Sequence, residues 1–345
     1  MSSRLFIIVL AVALAAVAAV VFVGMEDDRG GGRGALFPDL NMEAVNEVAS
    51  IEVRSAGGGQ ARLARNEQNL WQVVDKDNHP ADTAKIRNLL LALSEAEKVE
   101  EKTSQPGQYA QLGVGDMDAD TGAGVLVQWS NAQRQWGLIL GNPSRQLSEG
   151  QFARIEGEAA SWLINRRLSP DADPQAWLDK RVVHIEPADL HRIVINRKEG
   201  EPLEVVRDKR GEPLKLAAMP EGGELKDPGM LNRIAATVDY LDFREVYPRK
   251  DDFALPDTAI RAVFTTFNGL EIVVQAYRVG ESLYAVIGAQ HNEEVMEQFS
   301  AAQDKRAEVR DRAASLGDHF SQWYYRLQDS LYEPLEATPE SLIEQ

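Results

Sequence analysis

Three carboxylates at alternate positions, Asp116, Asp118 and Asp120, form the sharpest chemical motif in the chain. Acidic side chains spaced in this way can converge on a hard cation, as they do in a calcium loop. Such a loop also needs Gly at its sixth position and Glu at its twelfth, where this sequence has Thr121 and Val127. The flanks read as strand rather than helix. The three aspartates are weak candidate metal ligands, and a solvated acidic turn is the better reading. His184-Ile-Glu186-Pro-Ala-Asp189-Leu-His191 gathers four more possible ligands, but Pro187 interrupts it and no helical His pair of the HExxH kind is present. No GxSxG elbow, P-loop or strand-linked GxGxxG occurs either, so no catalytic residue and no cofactor is assigned. Trp71, Trp129 and Trp136 lie in strand-like segments, where core packing is a better reading than a sugar-stacking platform.

The densest aromatic run is Phe320-Ser-Gln-Trp323-Tyr324-Tyr325-Arg-Leu327. Aromatics and Arg are enriched at protein interfaces, which makes Phe320, Trp323, Tyr324 and Tyr325 the candidate interaction residues. On a helix Trp323 and Leu327 would share a face while Tyr324 and Tyr325 point elsewhere. The competing reading is that this run caps the core of the preceding unit.

Composition narrows the classes. The chain has 345 residues and a formal charge of −17, from 54 acidic against 37 basic residues. That balance argues against a nucleic-acid partner and against anionic lipid surfaces. With no cysteine, a disulfide frame, a thiolate nucleophile and Cys-ligated metals are excluded. Leu5–Gly24 carries no charge, and twenty helical residues span roughly 30 Å, the thickness of a hydrocarbon core. Arg4 precedes this run and Glu26, Asp27 and Asp28 follow it, which places the N-terminus in the cytoplasm. A cleaved signal peptide is the alternative. The Gly-rich stretch 29–34 lacks the strand and helix of a phosphate loop and reads as a tether.

The elements that must position these groups come twice. Short alternating runs (Ser50–Arg54, Ala61–Arg65, Leu70–Val74) predict a β-meander, followed by a helix with Ile86, Leu89, Leu90 and Leu93 on one face and Asp82 as its N-cap. About 145 residues later the stripe returns as Leu231, Ile234, Ala235 and Val238, after a second meander, with Asp227 as cap candidate and Pro228 at the first helical position. More strands follow each helix. The fold class expected is therefore α+β: a transmembrane helix, then two tandem units, each a mainly antiparallel sheet with a helix on one face. The divisions are a cytoplasmic start at 1–4, an anchor at 5–24, a tether at 25–40 and a first unit at 41–160. A connector at 161–187, a second unit at 188–290, a helical and aromatic segment at 291–335 and an acidic tail at 336–345 complete the chain. The stretch Glu293–Leu335 has no counterpart in the first unit, so it is expected to be dispensable for either sheet.

Leu36-Phe37-Pro38, the strand ending at Trp71, Pro80-Ala81-Asp82 opening a Leu-rich helix, Gly141, Trp177-Leu178-Asp179-Lys180 and Trp323-Tyr324 together resemble the DUF4340 family of bacterial proteins. The likeness runs from Leu5 to about Leu335 and carries no catalytic residues. It implies a membrane-anchored protein with a body outside the cytoplasm. Relatives tend to be encoded beside, or linked to, permease and auxiliary subunits of gliding-motility-type ABC transporters. The expectation is thus a single-pass inner-membrane protein with a periplasmic body, acting as a non-enzymatic accessory or scaffold subunit of an ABC-type transporter. A periplasmic glycan- or small-ligand-binding module is the first alternative. A hydrolase with an unrecognised carboxylate site is the second.

Overall fold

The computed structural model describes residues 34–117, 124–250, 252–299 and 303–344. The chain divides after Leu178 into two compact units. The first is built on ten strands: β1 (Gly34–Ala35), β2 (Ser50–Ser55), β3 (Gln60–Arg65), β4 (Trp71–Val73), β5 (His79–Pro80), β6 (Glu97–Thr103), β7 (Val125–Ser130), β8 (Gln135–Pro143), β9 (Gln151–Ile155) and β10 (Ser161–Ile164). Their spatial order is β1-β6-β10-β9-β8-β7-β2-β3-β4-β5, and every described pairing is antiparallel. Strand alternation sends Val127 and Leu138 to one face and their neighbours Leu126 and Ile139 to the other, and all four are buried. Both faces are therefore covered. Helix α1 (Thr83–Ser94) buries Ile86, Leu89, Leu90 and Leu93, and its first-turn amide at Lys85 is capped by Asp82 Oδ1 at 2.9 Å. Leu126 and Ile139 pack instead with Tyr109 and Val114.

The second unit is built on β11 (Arg181–Val183), β12 (Leu190–Asn196), β13 (Leu203–Val206), β14 (Lys215–Leu216), β15 (Leu241–Pro248), β16 (Ile260–Thr266), β17 (Leu270–Val279), β18 (Ser282–His291) and β19 (Trp323–Leu327). Its order is β11-β15-β19-β18-β17-β16-β12-β13-β14. Position by position this repeats the first sheet, with β6, β10, β9, β8, β7 and β2 answered by β15, β19, β18, β17, β16 and β12. Helix α2 (Met230–Ala235) buries Leu231, Ile234 and Ala235, and a tight turn carries Val238 inward after it. This helix starts later than expected. Asp227 accepts from the Gly229 amide at 2.8 Å and pairs with Arg233 at 2.6 Å, which makes a turn ahead of the helix rather than its cap.

Four expectations are corrected here. The fold class is two large antiparallel sheets with several helices, without a transmembrane helix among the described residues. The longest described helix, α3 (Gln303–Ser321), carries Asp304, Lys305, Arg306, Glu308, Arg310, Asp311 and Arg312, whose desolvation forbids a place in hydrocarbon. No described helix is long and apolar enough to cross a membrane, against the expected single-pass inner-membrane anchor and its cytoplasmic–periplasmic orientation. The run expected to form that anchor, residues 5–24, lies outside the described residues.

The remaining corrections concern the sheets. Ser161–Ile164, assigned to a connector, is the interior strand β10 between β6 and β9. Trp323–Leu327, expected to be dispensable, is β19, which pairs with both β15 and β18 inside the second sheet. In each unit the strand that completes the sheet arrives late in the chain and has one partner far away in sequence, β6 for β10 and β15 for β19, which local periodicity does not encode.

Candidate functional site

Phe320, Trp323 and Tyr325 expose 0%, 5% and 1% of their surface. Three of the four candidate interaction residues are thus internal. Tyr325 lies in β19 against Phe243, with ring centroids 5.3 Å apart, and burial pushes its phenol up. Strand alternation explains the difference from the expected helix, because Trp323, Tyr325 and Leu327 share the buried face and Tyr324 the other. Tyr324 is half-buried within a row of tyrosines that crosses four neighbouring strands: Tyr247 on β15, Tyr324 on β19, Tyr284 on β18 and Tyr277 on β17. Tyr324 stacks on both Tyr247 and Phe253 at 5.0 Å, and Tyr277 stacks on Tyr284 at 5.9 Å. Burial raises the phenol pKa of Tyr247 and Tyr277. Within the stacked pairs the ring faces are spent on one another and offer a partner little to stack on. The aromatic run is a sheet component.

Of the three aspartates, Asp118 and Asp120 lie outside the described residues. Asp116 is held by Arg154, a buried guanidinium that also donates to Val114 O at 2.9 Å and Glu158 O at 3.0 Å and lies 4.5 Å from the Tyr109 ring. A carboxylate bound by a guanidinium is a poor calcium ligand. No group of three metal-ligating side chains occurs among the described residues. Trp71, Trp129 and Trp136 are buried, and Trp129 and Trp136 are stacked cross-strand partners, so they form no sugar platform.

The site that geometry favours lies on the first unit, where sequence reasoning did not look. The ends of the β2–β3 and β7–β8 hairpins and the segment 168–174 enclose an open groove of about 830 Å³. Its walls are rich in residues with little or no side chain: Gly59, Gly124, Gly141, Ala172, and the rigid Pro143, Pro170 and Pro174. A bound chain can therefore approach backbone closely. Gln151, itself buried, bridges the groove's two sides, with Nε2 donating to Gly141 O at 3.0 Å and Oε1 accepting from Leu168 N at 2.8 Å. The far wall is pinned by Trp177 Nε1, which donates to Asp171 O at 2.7 Å, and by Lys85, which donates to Ala176 O at 2.7 Å and lies over the Trp177 ring.

Among the described residues, the charged groups lining the groove are Asp171 and Asp173. One oxygen of each is used in a local turn, accepting from Asp173 N at 2.9 Å and Gln175 N at 3.0 Å. Ser55 Oγ accepts from Gly59 N at 3.1 Å, which shapes the opposite rim. The signal available in the sequence was Pro170-Asp-Ala-Asp-Pro174, two prolines bracketing two carboxylates. What it could not indicate was the pair of hairpins facing it.

The model of a family described as a domain of unknown function (DUF4340) matches residues 71–256, more than half of the chain. The match begins in β4 and ends before β16, so it takes in parts of both units. No curated protein and no solved structure matches this chain.

Proposed function

We propose that this chain, which belongs to the DUF4340 family, is a non-catalytic accessory subunit whose first unit holds an extended, basic segment of a partner protein. The observation that carries this reading is the groove closed by residues 168–174. Its volume lies within the ordinary range for ligand sites. Its Gly, Ala and Pro walls suit close approach by main chain. The acidic lining of Asp171 and Asp173 favours a Lys or Arg on the incoming segment. The Gln151 bridge and the Trp177 anchor hold the walls before binding, which lowers the ordering cost of association. Among the described residues the lining holds hydroxyls and carboxylates but no His or Lys to move a proton, which favours binding over catalysis. For the partner we propose a permease or auxiliary subunit of an ABC-type transporter, on the strength of the family resemblance.

A photo-crosslinking residue placed at Gln60 on the groove rim of the full chain, in its native cells, tests both parts. Capture of a transporter subunit, abolished by Ala172→Trp with the melting temperature unchanged, is the expected result. Capture that persists when Trp fills the groove overturns the docking site. Capture of only unrelated proteins overturns the partner.

A further inference from the structure

A second cavity, of about 170 Å³, lies on the second unit and is lined by charges of both signs. Residues 184–191 supply its carboxylate side. His184, Glu186 and Asp189 reach it, whereas His191 does not, since its ring packs between Phe267 and Phe299 and its Nδ1 lies 2.8 Å from Arg207 O. Helix α3 supplies Arg312 and the β13–β14 loop supplies Arg210. Thr266 and Asn268 form a neutral polar floor.

The internal pairing of these groups decides what is left over for a ligand. Asp189 and Arg210 pair with one another. His184 is fixed through Nδ1 by Asp239, whose carboxylate is 3.2 Å away. Asn268 Oδ1 accepts from Leu270 N at 3.3 Å and lies 2.5 Å from Thr266 Oγ1, which turns the amide oxygen inward and leaves Nδ2 as a spare donor of the floor among the described residues. Glu186 and Arg312 then remain, one carboxylate and one guanidinium with no ion-pair partner among the described residues.

We propose that this cavity binds a small zwitterion of the free amino-acid class, its ammonium on Glu186 and its carboxylate on Arg312 and Asn268 Nδ2. A simple anion would meet Glu186 and Asp189, and a simple cation would meet both arginines. Only a ligand with both charges satisfies the two unpaired groups together, through charge-assisted hydrogen bonds at each end. The volume is below that of sites for drug-sized ligands, which limits the occupant to a few heavy atoms beyond the zwitterion itself. Arg312 comes from α3, which follows β18 where the first unit has no such helix, so the site is peculiar to the second unit. It stands independently of the groove on the first.

Isothermal titration of the full chain with glycine, L-alanine, L-serine and L-glutamine is the test, with propionate, ethylammonium and inorganic phosphate as single-charge controls. At least one zwitterion should bind about tenfold more tightly than every control. Glu186→Gln and Arg312→Gln, both at exposed positions, should each weaken it by about tenfold or more with unchanged melting. Absence of zwitterion binding at tens of millimolar overturns the proposal. So does a control that binds as tightly, or a loss confined to Arg312→Gln, which would mark a plain anion site.

Discussion

Tyr247 and Tyr324 are cross-strand partners on β15 and β19, and their rings stack 5.0 Å apart with planes inclined by 19°. Tyr325, one residue on, faces the opposite side and is buried against Phe243. A pair of adjacent tyrosines thus serves two layers of one sheet. Replacing Tyr324 by Ser should cost about 1–3 kcal/mol, from a half-buried ring and its stacking. Tyr325→Ala should cost about 3–5 kcal/mol. Tyr325→Phe should lie within about 1 kcal/mol of the parent or above it, because the buried Tyr325 hydroxyl has no hydrogen-bond partner among the described residues. Urea unfolding measures all three. A Tyr325→Phe variant destabilised as far as the Ala variant would mean that the hydroxyl is bonded after all.

Arg154 ties β9 to the segment that carries Asp116. Arg154→Met should destabilise the first unit by about 2–4 kcal/mol, since it strips the buried carbonyl of Val114, and the part-buried one of Glu158, of their donor. Asp116→Asn should change stability by less than about 1 kcal/mol, because that carboxylate is mostly exposed. Millimolar calcium should leave the melting temperature unmoved. A rise on calcium addition that Asp116→Asn removes would return the aspartates to the role of ligands.

The two repeated stripes should be equivalent in energy. Leu90→Ala and Ile234→Ala each remove a buried side chain from one of the two stripes, and each should cost about 2–5 kcal/mol. Chemical denaturation followed by circular dichroism reads the loss. A cost under about 1 kcal/mol at either position would deny that its helix is seated on the core.

Burial lowers the pKa of His319 from its ordinary 6.5, and the neighbouring Asp179 opposes this only in part. The folded state therefore favours the neutral imidazole. As the pH falls through 6.5 the unfolded chain takes up a proton first, so stability present above that value is lost below it. His319→Gln should flatten the dependence of the melting temperature between pH 7 and pH 5 relative to the parent. An unchanged slope would assign the acid sensitivity to other groups.

Local periodicity by itself determined a good part of this protein. The α1 stripe of Ile86, Leu89, Leu90 and Leu93, its Asp82 cap and the return of the stripe at Leu231 and Ile234 were all legible. Helix period and capping depend on residues within one or two turns of each other. The buried state of Trp71, Trp129 and Trp136 was legible for the same reason, from strand alternation. Tertiary structure alone decided the rest. The strand Trp323–Leu327 is short and could be read as a helix or a cap. It became the interior of a sheet only because β15, some eighty positions earlier, presents an edge for it. Asp116 read as part of an acidic turn and only weakly as a cation ligand, and nothing local foretold that Arg154 would arrive beside it from another strand. The groove joins residues 55–60, 124–143 and 168–174, and the cavity of the second unit joins residues 184–189 to Arg312. Both are made by chain closure over long sequence distances, where pairing energy and packing choose the neighbours and the local pattern carries no record of them.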